Sequence, residues 1–340
     1  MSLPATHLRW VPRQAMNGHR AALDPGGDEP AARVAHLLPS PYDLTDMAQD
    51  LKTRVHDFWQ ANPCGAKFTD AEVGSREFFD AVERHRYATE SHIPTVIDFP
   101  RWRGCDVLEV GCGLGTDAIN FARNGARYTG VDLTETSIAL VEKRFALEGM
   151  SARLRVADAE ALPFDDASFD LFYSHGVLHH TPDTQRAIDE AHRVLRPGGT
   201  AMVMLYHKDS YNYHVNIMAI RRMGVRLLGF DWGPPLVRRL TGEDEARLLK
   251  LQEAYRRDPR RLLARDEFLN QNTDGAGNPL ARAYSRREAA AMFARFRDVR
   301  AEVHFLNKRW IPLVGRFIPR AVERGLASRW GWHLWIIAEK

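Results

Sequence analysis

Between residues 107 and 206, apolar residues come in short runs separated by stretches of helix length and mixed polarity. Val107–Val110, apolar but for Glu109, opens the series as a strand. The chain then turns through Gly111, Gly113 and Gly115 into a helix, and a second strand ends in an acid, Asp132. Arg153–Ala157 follow as a third strand closed by Asp158, and Phe169–Ser174 as a fourth. A helix over Gln185–Leu195 and a turn at Arg196–Gly199 lead into a fifth, Thr200–Tyr206. Strands alternating with helices in this way predict an α/β domain around a mostly parallel sheet.

The flanks keep a different rhythm. Residues 1–42 scatter Pro, Gly and Ala without a period and are expected to form a loosely ordered lead. In residues 43–100, Leu51, Val55, Phe58 and Trp59 recur at helical spacing until Asn62-Pro63-Cys64-Gly65 stops the helix. Phe78, Phe79, Val82 and Tyr87 suggest a second helix, and His92-Ile93-Pro94 the start of a third. Residues 101–206 are the expected core. Residues 207–284 are too long for a structureless loop, so helices are expected over Tyr213–Leu228, Glu243–Arg256 and Asp258–Leu269.

The glycine loop carries the first chemical signal. Glycines this close let a ligand approach the backbone, because no Cβ stands in the way. An acid at the carboxyl end of the second strand is placed to accept hydrogen bonds from a ribose diol. A dinucleotide fingerprint would place its third glycine where Thr116 stands; here it comes one residue early, at Gly115. Glu109, an anion ahead of the loop, would repel a pyrophosphate and suits a cationic ligand. A nicotinamide cofactor is thereby set behind S-adenosylmethionine, which bears a sulfonium, an ammonium and a ribose. Asp158 stands where an adenine amine would be bound, with Leu162, Pro163 and Phe164 available to cover the ring.

With VLEVGCGLGTDAINFARNGARYTGVD, the Asp158 segment and the Arg196–Gly199 turn in this order, the chain resembles the class I S-adenosylmethionine-dependent methyltransferases over Val107–Tyr206. The resemblance is to their small-molecule group, which includes the ubiquinone and menaquinone enzymes. It implies a Rossmann-like seven-stranded sheet with an antiparallel last strand, N-terminal helices and a helical lid after strand five. Residues 285–340 would then hold a helix at Arg286–Phe296 capped by Ser285, and closing strands at Val299–Leu306 and His333–Glu339. By the same resemblance the glycine loop (Glu109, Gly111, Cys112, Gly113, Gly115) faces the methionine portion. Asp132 and Leu133 face the ribose, Asp158 and Ala159 the adenine, and Ser174 closes the site. Tyr87 is either a contact to the methionine portion or a core tyrosine.

Acceptor chemistry is less legible. Methyl transfer is an in-line displacement that gains most from alignment, and a hydroxyl or activated carbon acceptor also needs a base. Candidates at the ends of strands four and five are His207, preferred for its place directly after strand five, with His175 and Tyr206. His179 and His180 read as bracing the following helix. His175 and His179 are four residues apart, but Gly176 stands where a zinc hydrolase carries glutamate, so no metal is expected. No N-P-P-Y-like element follows strand four, which argues against nucleic acid or protein acceptors. A second insertion, with Trp310, Phe317, Trp330 and Trp332, tilts the acceptor toward an aromatic or apolar small molecule of secondary metabolism. A cofactor-binding scaffold without activity is the reading from another class.

Composition adds modest constraints. The formal charge of +3 in 340 residues is too near neutral to indicate nucleic acid. The arginines of the insertion, among them Arg221, Arg222, Arg226, Arg238, Arg239, Arg256 and Arg257, form a solvated face, a site for an anionic substrate or carrier protein, or a surface for anionic lipid. Three cysteines argue against a disulfide framework and for a cytoplasmic location. No apolar run long enough to span a membrane, and no export signal, is recognised.

Overall fold

In a computed structural model of the chain, residues 41–340 are described apart from 242–243, 276, 309–310 and 312–314. By their contacts, residues 1–44 and 45–340 form two units. Of the first, only 41–44 are described, as the opening of helix α1 (Pro41–Ala61). The expected N-terminal lead otherwise lies outside the described residues, as does Trp310.

The sheet is built from β1 (Asp106–Val110), β2 (Arg127–Asp132), β3 (Arg153–Val156), β4 (Phe169–His175), β5 (Leu195–His207), β6 (Ala283–Tyr284), β7 (Arg297–His304) and β8 (His333–Glu339). Its order is β3-β2-β1-β4-β5-β8-β7, with the two-residue β6 beside β5. Only β8 runs against its neighbours β5 and β7. The expected seven strands are thus present, and β6, where the insertion rejoins the sheet, makes an eighth.

The helices α2 (Arg76–Thr89) and α3 (Ile93–Ile97) precede β1, and α4 (Thr116–Arg123), α5 (Glu135–Glu148) and α6 (Thr184–Val194) follow β1, β2 and β4. Leu108, Phe172, Val203 and Ile336 pack on one face, together with Ile188 and Ala191 of α6. Val107, Leu171, Tyr173 and Trp335 pack on the other, with Ile119 of α4 and Val141 of α5. A strand covered on both faces has no polar side to show, which is why β1 and β4 read as nearly continuous apolar runs.

The insertion winds Asn212–Arg221 as a π-helix and continues as α7 (Arg222–Leu227), α8 (Gly233–Thr241), α9 (Glu245–Arg257), α10 (Pro259–Leu262) and α11 (Arg265–Asn272). The single helix expected over Asp258–Leu269 is two, broken at Leu263–Ala264; Asp258 caps the first by accepting from the Arg261 N–H. The helix α8 was not anticipated, although Pro234 and Pro235 in its first turn are a start signal. These helices bury their own core, including Tyr213, Ile217, Leu248 and Phe268, against Tyr206 of β5 and Trp332. The lid is therefore seated on the carboxyl end of β5.

Beyond it, α12 (Arg286–Met292) starts at Ser285, which accepts from the Glu288 N–H while Glu288 accepts from the Ser285 N–H, a reciprocal cap. The second insertion forms α13 (Arg320–Trp330) after Pro319. No helix among the described residues is long and apolar enough to cross a membrane.

Candidate active site

The loop after β1 is strapped to β2, with the Gly111 and Cys112 N–H groups donating to the Val131 carbonyl at 2.8 and 3.1 Å. Gly111 has φ 81°, and a Cβ there would lie 2.2 Å from Val177 Cγ2, in the segment after β4. At Gly113, with φ 53°, a Cβ would meet nothing within 4 Å. One glycine is required by a neighbour; the other borders open space. Cys112 is buried beneath.

Asp132 closes that space from the side. Its carboxylate accepts from the Gly113 N–H at 3.0 Å and from the Thr134 N–H and hydroxyl at 3.0 and 2.9 Å. Burial raises its pKa, and these donors oppose the rise. A carboxylate offers about four acceptor positions, so one remains for a diol. Leu133 beside it is half-buried.

Glu109 faces inward. It is 4% exposed and accepts from the Tyr128 hydroxyl at 2.6 Å. Burial, then the charge of Asp117, pushes it well above the ordinary carboxylate range. Ser174 donates to the Val110 carbonyl at 2.9 Å, tying β4 to β1. Tyr87 donates to Asp117 at 2.9 Å, and Tyr173 and Arg86 each reach the same carboxylate at 2.7 Å. Asp117, in the first turn of α4, is the hub that sequence reasoning missed. Its signal was an acid on the buried side of a helix, next to Ala118.

Beyond the end of β3, Asp158 accepts from the Glu160 N–H at 2.9 Å and from Lys52 Nζ at 2.5 Å. Lys52, from α1, also donates to Glu160 at 2.6 Å. Ala159 is buried. Leu162 and Phe164, expected over the ring, are drawn into the core, Phe164 edge-on to Phe169 at 5.1 Å.

At the ends of β4, β5 and β8 the structure brings together residues far apart in the chain. Tyr206 donates to Asp274 at 2.6 Å, and its ring stacks on Trp332 at 4.4 Å. His180 Nε2 lies 3.4 Å from the other Asp274 oxygen, while the His179 ring lies 3.8 Å from Tyr206. His179 and His180 are both buried, and the helix start they were expected to brace is capped by Asp183 instead. His175 at the end of β4 stands 3.9 Å from Glu90, which caps the carboxyl end of α2. Among the described residues, His175 Nε2, Glu90 Oε2, both His179 nitrogens, His180 Nε2 and Asp274 Oδ2 are buried without a hydrogen-bond partner.

His207 does not join this group. Alternation along β5 turns it to the face of Leu205 and Val203. Its Nδ1 is paired with the Gly331 carbonyl at 2.9 Å, and burial lowers its pKa. It borders an open cleft of about 440 Å³ with Asp209, Ser285, Arg286, Arg287 and Arg329. In the arginine-rich insertion Arg238 pairs with Glu245, and Arg256 with Asp231 at 2.5 Å. All three cysteines are free thiols.

Residues 108–203 match the family described as a methyltransferase domain. A phthiotriol/phenolphthiotriol dimycocerosates methyltransferase of Mycobacterium tuberculosis is 45% identical over 98 residues, 28% of this chain and 36% of that protein. A 27-O-demethylrifamycin SV methyltransferase of Amycolatopsis mediterranei is 39% identical over 103 residues, 29% of this chain and 38% of that protein. A sterol 4-C-methyltransferase of Caenorhabditis elegans is 35% identical over 98 residues, 28% of this chain and 29% of that protein. The chain spans about a third of the length of these relatives. The family match runs from β1 into β5 and stops short of the lid.

Proposed function

We propose that this chain, whose residues 108–203 are a class I methyltransferase domain with S-adenosylmethionine as its cofactor, methylates a small apolar or aromatic acceptor seated beneath the inserted helices. The open space over Gly113, bounded by the Asp132 carboxylate, carries the reading. It suits a ribose at Asp132, with the adenine reaching toward Asp158 and the methionine portion over the glycine loop. With the donor held so, residues at the ends of β4 and β5 would border the acceptor. Alignment there supplies most of the acceleration, up to about 7–11 kcal/mol for well-oriented reactants.

Asp274 with Tyr206 is the proton acceptor this arrangement favours over His207, which faces the other side of the sheet. Asp274 comes from the insertion and holds the Tyr206 hydroxyl, with His180 at its second oxygen. Calorimetry with S-adenosylmethionine, combined with transfer of labelled methyl to a panel of sterol, polyketide and phenolic acceptors, tests the reading. Micromolar cofactor binding, weakened in Asp132→Ala, is expected together with at least one labelled product. Absence of cofactor binding refutes it; tight binding with no product from any acceptor favours a scaffold.

One observation favours delivery of the acceptor from a lipid surface. Phe230 and Trp232, each 54% exposed, stack at 5.1 Å between α7 and α8, and the same stretch of chain exposes Met223, Leu236 and Leu240 and carries the arginines of those helices. An apolar face flanked by arginine suits an anionic interface. Relatives named for sterol and dimycocerosate acceptors are consistent with it. Salt-sensitive sedimentation with phosphatidylglycerol vesicles, lost in a Phe230→Ser/Trp232→Ser variant, is the expected result.

A further inference from the structure

We propose that Glu90, His175 and His333 form a binding site for one divalent transition-metal ion at the acceptor side of the cleft. No local spacing joins these residues; the topology does. His175 ends the parallel strand β4, and His333 begins β8, which runs the opposite way, so both lie at the same edge of the sheet. Glu90, at the end of α2, comes down onto that edge.

Each residue offers one donor atom, and the three atoms lie within 4.8 Å of one another. His175 Nε2 and Glu90 Oε2 are 3.9 Å apart, too far for a hydrogen bond. Neither has a partner among the described residues, although both are buried. A buried carboxylate oxygen and a buried imidazole nitrogen facing each other unpaired are unfavourable unless something sits between them. An ion bonded at about 2.0–2.2 Å to nitrogen and oxygen holds two ligands roughly 3–4 Å apart, so the gap is the size a shared ion needs. A simple His–Glu pair would instead have closed to hydrogen-bond range.

The surroundings fit a ligand shell. His92 Nε2 lies 3.2 Å from His333 Nδ1, the kind of outer contact that fixes the orientation of a ligating imidazole. The His175 ring packs 5.2 Å from Trp335 and 5.3 Å from His333, and Phe305 lies 4.5 Å from His333. Arg86, a cation whose charge acts on Glu90, His175 and His333, is paired with Asp117 at 2.7 Å. His179, four residues after His175, is turned to Tyr206 and takes no part. Two imidazoles and one carboxylate select zinc or ferrous iron over magnesium or calcium, and leave coordination positions for an outside ligand. Bound there, such an ion would polarise an acceptor oxygen and ease its loss of a proton. That use rests on the methyl-transfer reading; the binding of the ion does not.

The test uses the full chain without an affinity tag, stripped with a chelator, loaded with Zn²⁺ and desalted. One zinc per chain by elemental analysis is expected, and loading with Co²⁺ instead is expected to give visible ligand-field bands that Zn²⁺ abolishes at one equivalent. Glu90→Gln and His175→Gln should each reduce retained zinc at least tenfold while the far- and near-ultraviolet circular dichroism spectra persist, which certifies the fold. Less than one-tenth equivalent of zinc in the unmutated chain overturns the proposal, as does undiminished retention in both variants. If neither variant folds, the cobalt bands of the unmutated chain decide: their presence supports the site and their absence refutes it.

Discussion

Along the carboxyl edge of the sheet, the half beside β1–β3 and the half beside β4, β5 and β8 are finished differently. In the first half the acids have their donors: Asp132 three, Asp117 three, Asp158 the Lys52 ammonium, and Glu109 the Tyr128 hydroxyl. In the second, Glu90, His175, His179, His180 and Asp274 keep buried atoms without partners, whereas in the first such atoms belong to Arg86, Arg144 and Thr129 and to none of the acids. Each half mixes buried with partly exposed groups, so desolvation alone does not separate them. A satisfied network holds a shape before any ligand arrives; an unsatisfied one is completed by what binds.

Perturbing the satisfied half should cost stability. Asp117→Ala strands the Arg86 guanidinium and two hydroxyls, and should lower the unfolding free energy by about 3–5 kcal/mol in urea denaturation followed by circular dichroism. Perturbing the other half should cost turnover. Asp274 has φ 54°, a conformation that asparagine also tolerates, so Asp274→Asn should leave the urea midpoint in place. Its kcat with a productive acceptor should fall by about 10²–10⁴. A loss of stability instead would make Asp274 a structural residue and erase the contrast.

Within the cofactor half, the ribose contact is the sharper probe. Asp132→Ala should weaken S-adenosylmethionine by about 1.5–3 kcal/mol in calorimetry, the worth of hydrogen bonds to a charged group. Lys52→Met should act the other way, because an ammonium now holds the carboxylate that an adenine amine would use. Partly exposed pairs are worth up to about 1 kcal/mol, so tightening of up to roughly fivefold is expected. Weaker binding in Lys52→Met would show that α1 supports the adenine corner rather than competing for it.

How much of this was legible in the chain follows the same division. The segment β1–loop–α4–β2 is local: strand, glycines, helix and acid lie within 27 residues, and each constrains its neighbours. The acceptor side is assembled from the end of α2, the ends of β4 and β5, the start of β8 and a loop of the insertion. No window of sequence holds Glu90 with His333, or Tyr206 with Asp274. His207 drew attention by its place after β5, but the pleat sends it to the opposite face. The helices α8 and α13 escaped because their apolar stripes are short and their proline starts resemble turns.

The smallest effect is electrostatic and lies outside both halves. Asp106, bonded first by Arg127 and then by Arg196, is held at about 2 against an ordinary value of 3.8. Glu288, bonded by Lys208 and the Ser285 cap, is held at about 2 against 4.5. Both folded values are depressed, so their stabilisation is complete above about pH 4.5 and fades as pH falls toward 2. Urea midpoints at pH 5, 3 and 2 should decline, and decline less in Asp106→Asn.

The pinning of Gly111 under Val177 bears on how such a protein acquires new specificity. With 2.2 Å between a notional Cβ and that valine, the glycine loop and the segment leading to His179 share one wall. Neither can drift without dragging the other, so changes of acceptor routed through the β4 exit would compromise the common cofactor. Beyond the Leu280 and Arg282 bonds that hold it to the β4 exit, the insertion packs largely on a core of its own. Divergence, natural or engineered, has its free ground there.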